Sequence, residues 1–288
     1  MSKSNNNVDI FIYSHVPFRP ITNNHVFKVL TNCHDIPAVF NTELAIYRDY
    51  EGLDNISNMN LMYNEYSGFY WIWKNYPIKD YVGMNHYRRI YSCFHDLPDI
   101  DEIFKTKKII LNKPIPLVVH PGLPKEGTLM TNREWYEYWH NIEDFELLGE
   151  IIKEKYPEYM DGYELMSNVT YLYPSSMFIM DKNTFLKYCE FIFTILAEFR
   201  MRRGFFSEKD CIEYVEEHKD KYIRPYLKYY DVKMQSRIVG YIAERALATF
   251  LMHGGKESLE QNAEIFEWAM IPEEFYKPLH IINETNVK

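Results

Sequence analysis

The sequence predicts a single α/β domain, with a mostly parallel central sheet flanked by helices and a C-terminal half rich in helix. Three observations predict this class. Short β-rich apolar runs occur early in the chain, and a helical segment follows each of them. Helical patterns dominate the second half. Hydrophobic residues make up 47% of the 288 residues and charged residues 25%, which is enough apolar material for a large core.

The strands are predicted from short apolar runs that are rich in β-branched and aromatic residues. The run VDIFIY at residues 8–13 follows a polar tail and indicates a first buried strand. The run at residues 172–180 is entered through a proline and ends in the apolar letters MFIM. The remaining predicted strands lie at residues 36–40, 81–88 and 108–111.

The helices are predicted from apolar residues at helical spacing and from capping residues. Thr131 with Glu134 forms a capping box, Asp181 is an N-cap, and two glycines end the last helix. Ser207 with Asp210 marks the start of a further helix. The predicted helices lie at residues 61–75, 98–104, 131–139, 143–155, 183–202 and 237–253.

The domain boundaries follow from these elements and from the polar start of the chain. A disordered tail is predicted at residues 1–7, one domain at 8–255, and an extension that packs on the domain at 256–288. The tail lacks the apolar core of a signal peptide, and the apolar run at 188–199 is too short to span a bilayer. We therefore expect a cytoplasmic protein without a transmembrane segment, at most associated peripherally with a membrane.

Charge and composition exclude some classes of function. The net charge is −9 and no run of lysine or arginine occurs, which disfavours a nucleic-acid-binding protein. The four cysteines are scattered without the spacing of a metal site, as expected for reduced thiols in the cytosol. Aromatic residues reach 17%, a content that fits a sugar-binding or base-binding cleft and fits a half-buried core equally well.

The segment DYVGMNHYRRIY at residues 80–91 begins as a buried strand and ends in a cluster of His86, Tyr87, Arg88 and Arg89. A guanidinium group matches phosphate oxygens in shape and stays charged. Adjacent residues of a regular strand point to opposite faces, so both arginines can face one ligand only if the strand has ended and turned. The alternative is that one arginine pairs with an acidic neighbour in the core and the other is solvated.

Several segments along the chain, taken together, resemble one family. They are DNIS at 54–57, YNEY at 63–66, YWIWKN at 70–75, DYVG at 80–83, HYRR at 86–89, IIL at 109–111, Tyr138 with His140, SMFIM at 176–180, and GYIAER at 240–245. This set is similar to a family of glycosyltransferase-like proteins, long catalogued as a domain of unknown function. The family occurs in bacterial capsule and exopolysaccharide gene clusters and in some large viruses. The chain departs from it at residues 65–67, where Glu-Leu-Thr is usual, and at 176–177, where Asn-Met is usual.

The resemblance implies a GT-A-like fold and a glycosyltransferase that uses a nucleotide-activated sugar, a UDP-sugar by expectation, and a glycan hydroxyl as acceptor. The residues that it implies on the donor and pyrophosphate side are Tyr13, Ser14, His15, Asn55, Glu65, His86, Tyr87, Arg88, Arg89 and Arg245. Those that it implies on the acceptor side are His140, Ser175, Ser176 and Met177.

Glu244 matches the family's glutamate near the start of the last helix, and we expect it to be the base that deprotonates the acceptor. On the residues alone, a carboxylate near a helix start can equally be a cap with no further role. Asp210 is the second candidate for the base.

A metal cofactor is not expected to be required. In the GT-A fold this strand normally ends in an Asp-x-Asp metal motif, whereas here it ends in HYRR. Arginine and histidine side chains could then stabilise the departing diphosphate in place of a cation, with Mn²⁺ or Mg²⁺ as the alternative. Asp99 and Asp101 fit the Asp-x-Asp pattern, but they follow a proline at a predicted helix start and are interpreted as capping residues.

Two other functions stay open at this point. A catalytically idle module that binds a nucleotide sugar or a glycan could use the same fold, since a fold does not imply a function. A nucleotidyl- or phosphotransferase could use the arginine pair on phosphates, although neither a P-loop nor a GxGxxG motif occurs in the sequence.

Overall fold

The computed structural model describes residues 5–33, 42–227 and 230–276. The strands of this part of the chain are β1 Val8–Ser14, β2 Phe27–Thr31, β3 Ile46–Arg48, β4 Tyr81–His86, β5 Arg89–Tyr91, β6 Ile109–Asn112, β7 Ile115–Pro116, β8 Tyr171–Leu172, β9 Phe178–Asp181, β10 Ala263–Phe266 and β11 Trp268–Met270.

The helices are concentrated after residue 130. They are α1 Asn60–Tyr63, α2 Tyr66–Asn75, α3 Ile100–Phe104, α4 Asn132–Trp139, α5 Ile142–Lys155, α6 Met160–Asn168, α7 Lys182–Arg203, α8 Glu208–Glu217, α9 Lys219–Tyr222, α10 Val232–Gln235, α11 Ile238–Met252 and α12 Gly255–Asn262. None of the helices in these described residues is long and apolar enough to cross a membrane.

The central sheet has the strand order β10-β6-β9-β4-β1-β2-β3. β1 lies parallel to both β2 and β4, and β6 lies parallel to β10. β9 is antiparallel to its neighbours β4 and β6. A mostly parallel sheet with a helix-rich C-terminal half is the architecture that the sequence predicts, so the prediction of the fold class is confirmed.

The two faces of the sheet bury different sets of side chains because residues alternate along a strand. On β1, Phe11 and Tyr13 face the larger core, which contains the buried sides of α2, α5, α7 and α11. Ile10 and Ile12 face a smaller core that includes Ile100 of α3. The long helices therefore cover one face of the sheet, and shorter segments cover the other.

Several predicted elements differ from the structure in their bounds. The helix predicted at 61–75 is divided into α1 and α2 at Asn64, whose φ of 54° is incompatible with a continuous helix. The strand predicted at 81–88 ends at His86. The strand predicted at 172–180 is divided into β8 and β9 by a turn at residues 174–176. The strand predicted at 36–40 lies outside the described residues.

The capping predictions are confirmed. Thr131 and Ser207 each form a reciprocal capping box, and Asp181 accepts hydrogen bonds from two backbone amides at the start of α7. Asp99 accepts a hydrogen bond from the amide of Glu102 at the start of α3, as expected of a capping residue. These side chains satisfy helix amides that have no partner within their own helix.

The ends of the described chain contact the domain. Asn5 is buried and exchanges hydrogen bonds with the backbone of Pro98 and Ile100. At the other end, β10 pairs with β6 and β11 pairs with β5. The sequence analysis predicted none of β2, β3, β10 and β11, so this part of the sheet was missed.

Candidate functional site

The chain reverses direction at the end of β4. His86 is the last residue of β4, Tyr87 and Arg88 form a two-residue turn, and Arg89 begins β5 opposite His86. The amide of Tyr87 donates a hydrogen bond to the carbonyl of Tyr13 at 3.1 Å, which places the turn beside the end of β1. Because the strand ends in this turn, the side chains of both arginines can face one ligand.

A cavity of about 200 Å³ lies at this turn, between the end of the sheet and α11. The predicted site residues that line it are Glu65, His86, Arg88, Arg89, Ser175 and Glu244. The sequence analysis did not assign the other lining residues to the site, and these are Asn64, Tyr230, Met234, Arg237, Gly240 and Tyr241. The cavity therefore joins residues from the junction of α1 and α2, β4, β5, the segment before β9, α10 and α11.

The guanidinium groups of Arg88 and Arg89 are held mainly by aromatic and hydroxyl groups. Arg88 lies 5.3 Å from the ring centroid of Tyr87, and Arg89 donates a hydrogen bond to the Ser175 hydroxyl. The Nε atoms of both arginines are buried and have no hydrogen-bond partner among the described residues. Within those residues neither arginine has an ion pair closer than 4.0 Å. Their positive charge is thus available to a ligand.

Arg237 adds a third guanidinium group at the start of α11. Its Nε donates a hydrogen bond to Oδ1 of Asn64. Gly240, one turn further along α11, permits this contact, because a Cβ atom there would lie 1.9 Å from Nδ2 of Asn64. No local sequence pattern marks Arg237, since its position depends on the packing of α11 against α1.

Two carboxylates line the cavity with the arginines. Burial and the nearby Glu244 raise the pKa of Glu65, while Arg237 and Arg88 oppose that rise. Glu244 accepts a hydrogen bond from Nη1 of Arg245 at 2.9 Å. α11 begins at Ile238, so Glu244 lies in the second helical turn, and the alternative that it caps the helix is wrong.

His86 is buried, and its ring is uncharged at neutral pH. Its pKa lies well below the ordinary value because of burial and then the positive charges of Arg88 and Arg89. Its Nδ1 accepts a hydrogen bond from the amide of Arg88 at 3.1 Å, which assigns the proton of the neutral ring to Nε2. The guanidinium groups, and not this imidazole, provide the positive charge of the cavity.

Unusual backbone angles concentrate around the cavity. Among the described residues, the non-glycine positions with positive φ are Asn64, Ser175, Ser176 and Lys125. Asn64 and Ser175 line the cavity, and the Ser176 hydroxyl lies behind it, 2.7 Å from the Tyr66 hydroxyl. Strained backbone of this kind persists where the surrounding structure holds it, and it clusters at functional sites.

Three predicted residues lie just behind the cavity wall. The ring of His140 stacks on Tyr241 with centroids 4.0 Å apart, and burial lowers the pKa of His140 to about 3. Arg245 is buried over the ring of Tyr136 and holds Glu244. The ring of Tyr87 points to the smaller core on the other face of the sheet.

Other predicted residues are engaged elsewhere. The Tyr13 hydroxyl is part of a buried network with Asp49 and Ser67, and Met177 is in the smaller core. The remaining predicted residues make local contacts. The ring of His15 packs edge-on against the Tyr87 ring, and the Ser14 hydroxyl accepts a hydrogen bond from the amide of Val16. Asn55 accepts a hydrogen bond from the Ser57 hydroxyl, and Asp210 belongs to the capping box of α8. The structure does not bring these residues to the cavity, and their roles stay predictions.

The fit of a metal ion can be judged from the side chains present. Within residues 5–33, 42–227 and 230–276, no group of three or more His, Cys, Asp or Glu side chains is placed to hold a metal. Three guanidinium groups at the cavity would repel a divalent cation. These residues do not fit a metal site, so we derive no chemical step through one.

A family model described as Domain of unknown function (DUF4422) matches residues 9–213. The chain belongs to the DUF4422 family. The match includes the arginine turn and Ser175, whereas Arg237 and Glu244 of this DUF4422 chain lie beyond it. No curated protein matches the DUF4422 chain significantly.

Two solved structures are similar to the DUF4422 chain. The first is the apo structure of WbbM, a bifunctional glycosyltransferase, with a TM-score of 0.65 and 23% identity over 92% of this chain and 45% of that one. The chain thus spans less than half the length of WbbM, and the likeness shows a shared fold. The second is the mannosyltransferase Ktr4p from S. cerevisiae, a weak match with a TM-score of 0.34, 12% identity, and coverage of 92% and 71%.

Proposed function

We propose that this chain is a glycosyltransferase of the GT-A type that acts in the cytoplasm, in polysaccharide synthesis. It transfers a sugar from a nucleotide diphosphate sugar, a UDP-sugar, to a hydroxyl group of a glycan. One observation carries the proposal: Arg88, Arg89 and Arg237 converge on one cavity at the end of β4, and Glu244 lines the same cavity. Open α/β sheets bind ligands at the carboxyl ends of their strands.

The arginines would act on the leaving group. As the bond between the anomeric carbon and the diphosphate oxygen breaks, negative charge develops on the diphosphate. Guanidinium groups stabilise this charge with bidentate, charge-assisted hydrogen bonds. The contacts of Arg89 with Ser175 and of Arg237 with Asn64 hold two of these groups in place before a ligand arrives. Such preorganisation lowers the cost of reorganising the site during the reaction.

Glu244 would accept the proton of the attacking hydroxyl group. The acceptor oxygen forms a bond to the anomeric carbon, the diphosphate leaves with the electron pair of the broken bond, and the hydroxyl proton moves to the carboxylate. This role requires attack from the face opposite the diphosphate, and therefore inversion at the anomeric carbon. Burial and the charge of Glu244 raise the pKa of the neighbouring Glu65, so negative charge is less favourable on Glu65 than on an exposed carboxylate.

The cavity is small for a complete donor. Its volume of about 200 Å³ lies below the ~300–1,000 Å³ of typical ligand pockets. The cavity would accommodate the diphosphate, and the nucleoside would extend over the surface toward the exposed His15 at the end of β1.

The test is thermal unfolding with UDP, GDP, CMP and their sugars, in EDTA and in Mn²⁺, followed by transfer assays with glycan acceptors. We expect UDP or a UDP-sugar to raise Tm in both buffers, since a ligand at 100 times its Kd adds about 2.7 kcal/mol to the free energy of unfolding. We also expect transfer to persist in EDTA. The absence of a Tm shift with every nucleotide would refute the proposal. Binding without transfer would instead identify a nucleotide-sugar binding module.

A further inference from the structure

A second and larger cavity, about 600 Å³ in volume, lies between α4 and the loop at residues 118–130. One wall is aromatic: the rings of Tyr138 and Tyr226 are 5.4 Å apart between centroids and inclined by 39°. Leu129 lines the same cavity with 52% of its surface exposed. The volume lies within the range of ~300–1,000 Å³ that is usual for ligand pockets.

The polar groups of this cavity balance in charge. Lys125 and Arg224 are positive, and Glu134 and Glu137 are negative. A strongly anionic ligand would be repelled by the carboxylates, and a cationic ligand by the other two groups. A neutral molecule with many hydroxyl groups can donate to the carboxylates and accept from the cations. It can also lay an apolar face on the part-exposed ring of Tyr226, which the buried Tyr138 supports from behind.

Two of these polar groups keep hydrogen-bonding capacity for a ligand. Arg224 donates only to backbone carbonyl groups among the described residues, those of Asp220, Lys221 and His140. Glu137, exposed on α4, makes neither a side-chain hydrogen bond nor an ion pair within the described part of the chain. By contrast, Glu134 is engaged in the capping box of α4.

The loop that borders the cavity is held in an unusual conformation. Lys125 has a φ of 63°, one of the positive values among the described non-glycine residues. The loop is closed by the bridge between Val118 and Leu129 and by a hydrogen bond from the amide of Gly127 to the carbonyl of Val119. An outlier of this kind, held by surrounding contacts at the rim of a cavity, supports a functional role for the loop.

His140 lies between the two cavities. Arg224 of the larger cavity donates to the backbone carbonyl of His140 at 3.2 Å. The side chain of His140 stacks on Tyr241 and lies beside Tyr230, both of which line the smaller cavity. The two cavities therefore lie on opposite sides of a wall that contains the buried His140.

We propose that the larger cavity binds the acceptor, a neutral linear oligosaccharide, and presents its terminal hydroxyl group to the smaller cavity. The identity of the ligand as an acceptor rests on the proposed glycosyltransferase function. The binding of an oligosaccharide in this cavity does not, because it rests on the aromatic wall and the balanced charges.

The test combines a glycan array with variants of the intact chain. The wild-type protein is applied to an array of neutral linear oligosaccharides, and the Kd of the best tetrasaccharide is measured by calorimetry. Leu129→Ala and Glu137→Gln alter exposed side chains and should leave the fold intact. We expect each to raise this Kd at least fivefold, with little change in the Kd for UDP. The matched controls, Leu53→Ala and Glu217→Gln, change exposed residues elsewhere and should bind the tetrasaccharide like wild type.

The outcomes separate this inference from the proposed function. If no array glycan is bound, or if Leu129→Ala and Glu137→Gln bind the tetrasaccharide like wild type, the inference is overturned even when UDP binding and sugar transfer persist. If the tetrasaccharide is bound with the expected sensitivity while no nucleotide is bound, the oligosaccharide site stands and the proposed transferase function fails.

Discussion

His86 and Arg89 face each other across a two-residue turn at the end of β4. This antiparallel pair reverses the chain at the point where the strand would otherwise have directed Arg88 and Arg89 to opposite faces of the sheet. Both guanidinium groups consequently line one cavity. The turn thus brings two adjacent arginines, which a continuous strand would direct to opposite faces, to the one cavity that we propose binds the diphosphate.

The first prediction concerns this arginine pair. Arg88→Ala and Arg89→Ala should each weaken binding of UDP, because a charge-assisted hydrogen bond contributes about 1.5–3 kcal/mol, or roughly 10- to 150-fold in Kd. Calorimetry with UDP measures the change. Arg133→Ala, which removes an exposed arginine paired with Glu146, is the control and should bind UDP normally. Wild-type affinity in both cavity variants would exclude them from the phosphate site.

The second prediction distinguishes the two candidates for the base. Glu244→Gln should lower kcat by about 10²- to 10⁴-fold and leave the Kd for UDP unchanged, because an amide cannot accept the proton. Asp210→Asn should keep kcat, since this carboxylate accepts hydrogen bonds from the amides of Phe206 and Ser207 at the start of α8. Steady-state kinetics on both variants provide the comparison, and the reverse pattern would transfer the role to Asp210.

The third prediction is a dependence of stability on pH. Burial lowers the pKa of His140 from 6.5 to about 3. Below pH 6.5 the imidazole of His140 is therefore protonated in the unfolded chain but stays neutral in the folded chain. The contribution of His140 to the free energy of unfolding is therefore complete above pH 6.5 and declines as the pH falls toward 3. Between pH 7 and pH 5 the loss is about 2 kcal/mol.

Urea unfolding of wild type and His140→Gln at pH 7 and pH 5 isolates this contribution, because the other titrating groups are shared. The free energy of unfolding of the variant should fall less between the two pH values, by about 2 kcal/mol. Equal losses in the two proteins would show that His140 titrates in the folded state as it does in the unfolded chain.

The fourth prediction concerns the contact between α11 and α1. Gly240→Ala would place a Cβ atom 1.9 Å from Nδ2 of Asn64 and should cost about 1–3 kcal/mol of stability. Asn64→Gly removes that side chain and suits the φ of 54°, so the double variant should recover most of the loss. Urea unfolding of the four proteins gives the coupling energy. If the losses of unfolding free energy in the two single variants add up in the double variant, residues 64 and 240 are not in contact.

The sequence predicted the parts of the fold that depend on local patterns. β1, α7 and the capping boxes follow from apolar periodicity and from short capping motifs, which operate within a few residues. The interior strand β2 and the edge strand β3 were missed, because three to five residues carry little periodic signal. β10 and β11 were missed for the same reason.

The candidate site was predicted in part. The adjacent arginines were visible as a departure from the strand pattern, and the resemblance to a family identified Glu65, Ser175 and Glu244. Arg237 and Tyr241 were not predicted, because they reach the cavity only when α11 packs against a segment more than a hundred residues away in sequence. Asp210 forms the capping box of α8, and its role as a candidate base stays a prediction, because a capping carboxylate and a catalytic one look alike in sequence.

The arginine turn depends on residues that lie about 180 positions after it in the sequence. Met270 of β11 pairs with Arg89, and the amide of Ile271 donates a hydrogen bond to the carbonyl of Arg88 at 2.8 Å. A chain growing on the ribosome can bury most of its larger core before these residues emerge, since N-terminal parts fold first during synthesis. The pairing that supports the turn therefore forms after most of the larger core has emerged from the ribosome. A nonsense mutation shortly before residue 263 would leave a largely folded polypeptide in which Arg88 and Arg89 lack their backbone pairing with β11 and Ile271.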